Sequence, residues 1–174
     1  MPDDRLANVL GAFALALVDG LDVATERAAL VVLSHLLEGR SVEDLRRAVG
    51  LPPSGAVRVV DRLVAGGLVE RRRGADGRSV ALVLTTEGRR LATQARGARL
   101  ATLHDVLGVL DDREQAELAA ILDKLIGAVV LRRLEARAAG VHPPGGWLCR
   151  VCDPVACQRA EGHCPAANAA RLAP

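Results

Sequence analysis

The segment from Ser41 to Leu91 constrains the fold of this chain more than any other. It contains two short stretches with helical spacing, joined by Gly50-Leu51-Pro52, and then an arginine-rich stretch that turns back at Gly74-Ala75-Asp76-Gly77. A helix, a tight turn, a second helix and a hairpin in this order form the layout of a winged helix-turn-helix. We therefore predict a mainly α fold with a small β-hairpin wing, flanked by further helices.

Capping signals divide the chain into elements. Thr25 is the expected N-cap of the second helix, Ser41 to Asp44 resembles a capping box, and Pro53 suits the first position of the following helix. The predicted helices are Leu6–Asp19, Thr25–Glu38, Ser41–Val49, Pro53–Ala65, Glu87 to about Leu110 and Asp112 to about Ala139, and the predicted strands are Leu68–Arg72 and Ser79–Leu84. The resulting units are 1–24 (N-terminal dimerisation helix), 25–90 (DNA-binding domain), 91–139 (dimerisation helices) and 140–174 (linker and cysteine-rich tail).

The helix that begins at Pro53 has the pattern of a DNA-recognition helix. Ser54, Gly55 and Val57 are small side chains in its first turns, and Arg58 and Arg62 are four residues apart on one face. Arginine donates two parallel hydrogen bonds to guanine or phosphate, so this face suits a DNA groove. The alternative is an ordinary solvated helix with salt bridges around Asp61 and Arg62.

The hairpin adds basic residues beside that helix. Arg72 and Arg73 precede its tip and Arg78 follows it, and an arginine at the tip suits a narrow minor groove. Asp76 gains nothing from contacting phosphate, so we expect it to orient Arg78 or a neighbouring arginine, or simply to form the turn with Gly77.

Composition excludes several other classes of protein. The chain has one Phe, one Trp and no Tyr among 174 residues, which disfavours a single-strand binder that stacks bases on aromatic rings. No nucleophile and base occur in a spacing that suggests catalysis. The acidic start lacks the basic region of a secretory signal, and the apolar run Leu6–Val18 is too short to span a bilayer, so we predict a cytoplasmic protein with no membrane partner.

Residues 41–88 resemble the MarR family of bacterial winged-helix regulators. The resemblance lies in Arg58 to Arg71, in Asp76-Gly77-Arg78 and in Val83 to Gly88, and it extends weakly over residues 5–139. It implies a homodimer whose two recognition helices read a pseudo-palindrome in double-stranded DNA. Apolar stripes in the first and last long helices agree with a dimer. The family also often binds small ligands; His35 and His104 are candidate pocket residues, and the small-molecule effector stays open.

The four cysteines, Cys149, Cys152, Cys157 and Cys164, lie within sixteen residues of the tail. The C-x2-C pair and two further thiols suit one tetrahedral zinc ion, with either Cys164 or His163 as the fourth ligand and Cys164 favoured. An iron–sulfur cluster and metal-free redox thiols also fit this spacing. The family pattern has no counterpart of the tail. A segment with so few apolar residues can scarcely fold unless a metal stabilises it.

Together these features predict a DNA-binding transcriptional regulator, a repressor, that responds to metal or redox state through its tail. The alternative is a metal-stabilised protein-interaction adaptor that uses the winged helix for docking without specific DNA binding.

Overall fold

The computed structural model describes residues 3–21, 24–74, 79–141 and 145–172. In these ranges the chain forms seven α-helices and one two-stranded antiparallel sheet. The elements are α1 (Asp4–Gly20), α2 (Thr25–Val32), α3 (Val42–Val49), α4 (Pro53–Ala65), β1 (Val69–Arg73), β2 (Val80–Leu84), α5 (Thr86–Leu107), α6 (Asp112–Ala138) and α7 (Pro165–Arg171). The predicted fold class, mainly α with one β-hairpin wing, is confirmed.

The helix-turn-helix begins and ends where its capping residues predict. The Asp44 backbone N–H donates to Ser41 Oγ at 3.1 Å, and the Ser41 N–H donates to Asp44 Oδ2 at 3.3 Å, which completes a capping box. Gly50 follows α3 in the left-handed region at φ 78°, and Pro53 is the first residue of α4. The turn between α3 and α4 is therefore encoded locally.

Two details of the second helix differ from the prediction. Thr25 is not the N-cap: it is the first residue of α2, and the cap is Ala24, with no side-chain hydrogen bond. The helix also widens into a π-helical turn over Leu33–Leu37. Capping residues predict neither feature. The helix is stabilised by the burial of six consecutive residues, Ala28 to Leu33, rather than by a side-chain cap.

The core lies where α2, α3, α4 and the hairpin meet. Its largest fully buried side chains are aliphatic: Leu33, Leu45, Leu82, Val32, Val60 and Val69. In the hairpin, Val69 pairs with Leu84 and Arg73 with Val80. Glu38 attaches the hairpin to α2, since its carboxylate accepts from the Leu84 N–H at 3.1 Å and from Arg89 at 2.8 Å. The wing is thus fixed to the body that carries α4.

The long helices contribute little to this core. No residue of α1 is buried, and Val130 is the buried residue of α6. Their exposed apolar side chains include Leu6, Val9, Leu10 and Phe13 in α1 and Ile121, Leu122 and Leu125 in α6.

The tail packs back onto the rest of the chain. The Trp147 N–H donates to the Ala48 carbonyl in α3 at 2.7 Å, and α7 packs against α6. The tail therefore contacts both α3 and α6. Among the described residues no single helix has the length and apolar content to cross a membrane, although α1 and Thr25–Leu37 meet that test as a pair bent by 84°.

Candidate nucleic-acid interface

Helix α4 has one face in the core and one in solvent. Its buried residues are Ala56, Val59, Val60 and Leu63. Ser54, Val57 and Arg58 lie exposed in its N-terminal half. Gly55 is half-buried, and a Cβ added there would lie 3.2 Å from the ring of Pro52. The exposed half of α4 carries the small and basic side chains that the sequence assigns to the DNA groove.

The two predicted recognition arginines differ in their surroundings. Arg58 Nε donates to the Ser54 carbonyl of its own helix at 3.3 Å, which leaves the guanidinium over the exposed face. Arg62 Nε donates instead to Glu26 Oε1 in α2 at 2.8 Å. The pKa of Glu26 is lowered by its backbone hydrogen bond and by Arg62. Arg62 therefore also joins α4 to α2, a role that the sequence does not predict.

The wing arginines are held by carboxylates. Arg71 Nη2 donates to Asp61 Oδ1 in α4 at 2.6 Å, and Arg72 donates to Glu70 Oε2 at 2.7 Å. Arg73 ends β1 with its side chain exposed. Of the predicted wing residues, Asp76 and Arg78 lie outside the described residues.

These ion pairs do not close the basic face to an anion. The side chains of Arg72 and Glu70 are 61% and 52% exposed, and those of Arg71 and Asp61 are 39% and 55% exposed. Exposed pairs of this kind contribute about 0–1 kcal/mol and are screened by salt. A phosphate can therefore replace the carboxylate of such a pair at little cost. Until it does, the Arg71–Asp61 pair joins the wing strand to α4.

The four tail cysteines are free thiols; three of them are half-buried, and Cys164 is buried. A 3-10 turn over Leu148–Val151 holds Cys149, and Cys152 follows directly as its C-cap. Residues three apart in such a turn point to the same side. The Cys152 thiol donates to the Leu148 carbonyl at 3.9 Å, and the Cys157 thiol donates to the Pro154 carbonyl at 3.5 Å. The pKa of Cys149 is shifted by Cys152 and Cys164, and that of Cys157 by Cys164, which makes these thiols neighbours. Each thiol thus lies beside at least one other.

The thiols of this cluster differ in the direction in which their pKa values are shifted. The hydrogen bond with Cys149 lowers the pKa of Cys152 to about 7, and the same bond raises the pKa of Cys149. Burial, followed by the charge of Cys164, raises the pKa of Cys157. Cys152 is therefore the thiol that ionises most readily of these three.

Cys164, rather than His163, belongs to the cluster. Cys164 is 3% exposed, whereas His163 is exposed and its Nδ1 lies 2.7 Å from Gln158 Oε1. Within the described residues, no group of three or more Cys, His, Asp or Glu side chains is arranged so that it could hold a metal ion.

A polar group between the tail and the long helices is not evident from the sequence. Arg96 Nη1 of α5 donates to Asp153 Oδ2 at 3.2 Å, and these side chains are only 16% and 19% exposed. His35 is close to both, and burial lowers its pKa. Buried nitrogens of His35, Arg96 and Arg99 have no partner within the described structure. His104, the other candidate pocket histidine, lies exposed on α5.

Residues 19–79 match the model of the MarR family. No curated protein matches the sequence. Solved structures do: the PcaV transcriptional regulator from Streptomyces coelicolor is 28% identical, with a TM-score of 0.50 over 79% of this chain and 98% of its own. A probable transcriptional regulator from Pseudomonas aeruginosa is 26% identical, with a TM-score of 0.50 over 70% of this chain and 93% of its own.

A MarR-family regulator from Rhodococcus sp. RHA1 has the same fold at 22% identity, with a TM-score of 0.55 over 72% of this chain and 94% of its own. The predicted resemblance to the MarR family is therefore confirmed for the winged-helix segment, and these neighbours are transcriptional regulators rather than enzymes. The cysteine tail lies beyond the residues that the family model matches.

Proposed function

We propose that this chain is a homodimeric, sequence-specific regulator of transcription that binds double-stranded DNA and acts as a repressor in the cytoplasm. The observation that carries the proposal is the exposed half of α4, where Ser54, Val57 and Arg58 lie on a helix whose other face is buried in the core. The DNA-reading side chains are thus presented on a rigid support.

The proposed DNA contacts are of two kinds: contacts to base edges, which recognise the sequence, and contacts to the backbone, which position the protein. Arg58 and Arg62 of α4 enter the major groove, where arginine pairs with guanine O6 and N7. Arg72 and Arg73 of β1 approach the adjacent backbone. Arg78 of the wing, which Asp76 orients, reaches the minor groove. Contacts to phosphate supply affinity and salt dependence, and contacts to base edges supply specificity.

The proposed dimer rests on the exposed apolar faces of the long helices. Leu10 and Phe13 of α1 are 51% and 48% exposed, and Ile121 and Leu125 of α6 are 52% and 45% exposed. Two such stripes in one chain are unusual for a monomer and typical of an association surface. A second copy is the occupant that also supplies the second recognition helix needed for a palindromic operator.

The proposed repression requires an operator that overlaps a promoter, where a bound dimer excludes polymerase. A response to metal or redox state through the cysteine tail is part of the same proposal. The small-molecule effector of this chain stays open.

Fluorescence anisotropy with labelled duplexes tests the proposal. We expect binding to a random duplex that weakens steeply between 50 and about 200 mM salt, as several phosphate contacts require. We also expect a tighter class of sequences after selection from a random pool. Absence of any salt-dependent duplex binding would favour the adaptor alternative, in which the exposed arginines serve a protein partner.

A further inference from the structure

The tail crosses from α6 to the DNA-binding domain. Beyond α6, Gly146 is buried against α3, and an added Cβ there would overlap the Ala48 carbonyl. The same residue accepts from Arg133 of α6 at 3.0 Å through its carbonyl oxygen. Trp147 follows, with its N–H on Ala48 and its side chain packed against the core. Gly146 and Trp147 therefore tie α3 to α6.

A second attachment lies a few residues further on. Asp153 pairs with Arg96 of α5 in the partly buried contact described above, and it also accepts from the backbone N–H groups of Val155 and Ala156 at 2.9 and 3.3 Å. The carboxylate thus fixes both the following turn and the position of that turn on α5.

The four cysteines lie between these two attachments and a third one, the packing of α7 on α6. Cys149 and Cys152 lie between Trp147, which is bound to α3, and Asp153, which is bound to α5. Cys164 lies immediately before α7, which packs on α6. Any bond that holds the first pair of thiols to the second closes the tail into a strap (residues 145–172) fastened to three helices.

We propose that Cys149, Cys152, Cys157 and Cys164 together bind one zinc ion, and that this ion fastens the strap and so holds the DNA-binding domain in a fixed position on α5 and α6. The regulatory part of this inference rests on the proposed function; the metal site does not.

The chemistry of the cluster suits a soft divalent cation. Four thiolates form a tetrahedral zinc site with Zn–S bonds of about 2.3 Å, and binding releases the thiol protons. The resulting centre has two negative charges, and the positive charges of Arg99 and Arg159 act on Cys152 and Cys149 respectively. Because the thiols touch in pairs without metal-site spacing, binding requires rotation of cysteine side chains, a small motion for residues with one rotatable bond.

The first test is metal content. The full chain is purified without a polyhistidine tag or chelator, under argon with reductant, and its zinc, iron and labile sulfide are measured. We expect about one zinc per chain in the unmodified protein, and less than about half of that in Cys152→Ser and Cys157→Ser. Val155→Ser is the matched control, because Val155 is in the same tail, is 80% exposed and is not a ligand.

Cobalt substitution verifies the donor set independently of zinc content. We expect the thiolate-to-cobalt charge-transfer band and the intense visible bands of a tetrahedral sulfur site. Iron with labile sulfide, or no metal even after titration of the reduced protein with zinc, overturns the proposal.

The second test follows the strap by hydrogen exchange. Removal of zinc should speed exchange of the Trp147 amide at least about tenfold, because the strap then opens locally. The Leu68 amide, which donates to Leu63 at 2.9 Å inside the DNA-binding domain, is the internal control. Unchanged exchange at Trp147 after zinc loss shows that the ion does not fasten the strap. Neither test depends on DNA binding, so failure of the proposed function is separately visible.

Discussion

The arginines of the basic face are held to different degrees by their neighbours. Arg62 and Arg71 lie in ion pairs with Glu26 and Asp61, whereas Arg58 donates to a backbone carbonyl of its own helix. A side chain engaged only with its own backbone reorients toward a base edge without breaking an ion pair. Arg58 is therefore the residue whose loss should most directly reduce DNA affinity.

We predict that Arg58→Ala weakens binding to a selected duplex by about tenfold or more, since a good arginine–base contact contributes about 1–3 kcal/mol. The thermal midpoint of the protein should not change, because the side chain is exposed. The readout is fluorescence anisotropy at fixed salt. Arg113→Ala is the control, because it removes the same charge outside α4. The Arg113 side chain is 86% exposed and pairs with Glu117 in α6 at 2.9 Å. Equal losses in both variants would refute a specific role for Arg58.

The sequence predicts the positions of these arginines but not their partners. The helical spacing of Arg58 and Arg62 places both on one face, which local geometry determines. The Glu26–Arg62 pair spans 36 residues, and the Asp61–Arg71 pair depends on how the hairpin lies on α4. Such contacts follow from tertiary packing, which residue spacing does not encode.

At the scale of single elements, the start of α5 fixes the hairpin to the helices. Thr85 caps α5 by accepting from the Gly88 N–H at 3.0 Å, and its hydroxyl donates to the Gly67 carbonyl at 2.7 Å. Gly88 is buried, and an added Cβ would overlap the Leu68 carbonyl just before β1. The absence of a side chain at Gly88 permits this close approach of helix and strand.

We predict that Gly88→Ala lowers the free energy of unfolding by about 1–3 kcal/mol, because the new methyl group forces backbone apart. The measurement is a chemical or thermal denaturation curve. Gly97→Ala in the same helix is the control, because no atom lies within 4 Å of its added Cβ. It should be neutral or stabilising by up to about 1 kcal/mol through helix propensity. A destabilised Gly97 variant, or an unaffected Gly88 variant, would contradict this packing.

Element boundaries are predictable where capping chemistry sets them. The starts of α3 and α4 agree with Ser41 and Pro53. For α5 and α6 the sequence leaves Thr85 or Thr86 and Asp111 or Asp112 as N-caps, and the structure has Thr85 and Asp111 in these positions. The π-helical turn after α2 was not predicted, because no local residue signals it. The predicted end of α5 near Leu110 was wrong: the helix ends at Leu107, where Gly108 is the C-cap.

At the scale of the whole molecule, the long helices and the strap surround the winged helix. The apolar stripes of α1 and α6 are visible in the sequence because helical periodicity shows them directly. The course of the strap is not, since its contact between Trp147 and Ala48 joins residues about a hundred positions apart. In the proposed dimer, a second copy of this chain positions the DNA-binding domain from one side, and the strap positions it from the other.

Hydroxyl-radical footprinting on a duplex selected from a random pool tests whether this protein binds DNA as a symmetric dimer, because it reports DNA binding, dimer symmetry and groove use together. We expect two protected half-sites in inverted orientation, with centres about 10–10.5 base pairs apart and additional protection where the wings reach the flanking backbone. A single protected half-site, or a uniform pattern with no preferred sequence, would contradict a dimer that presents two copies of α4 to one operator.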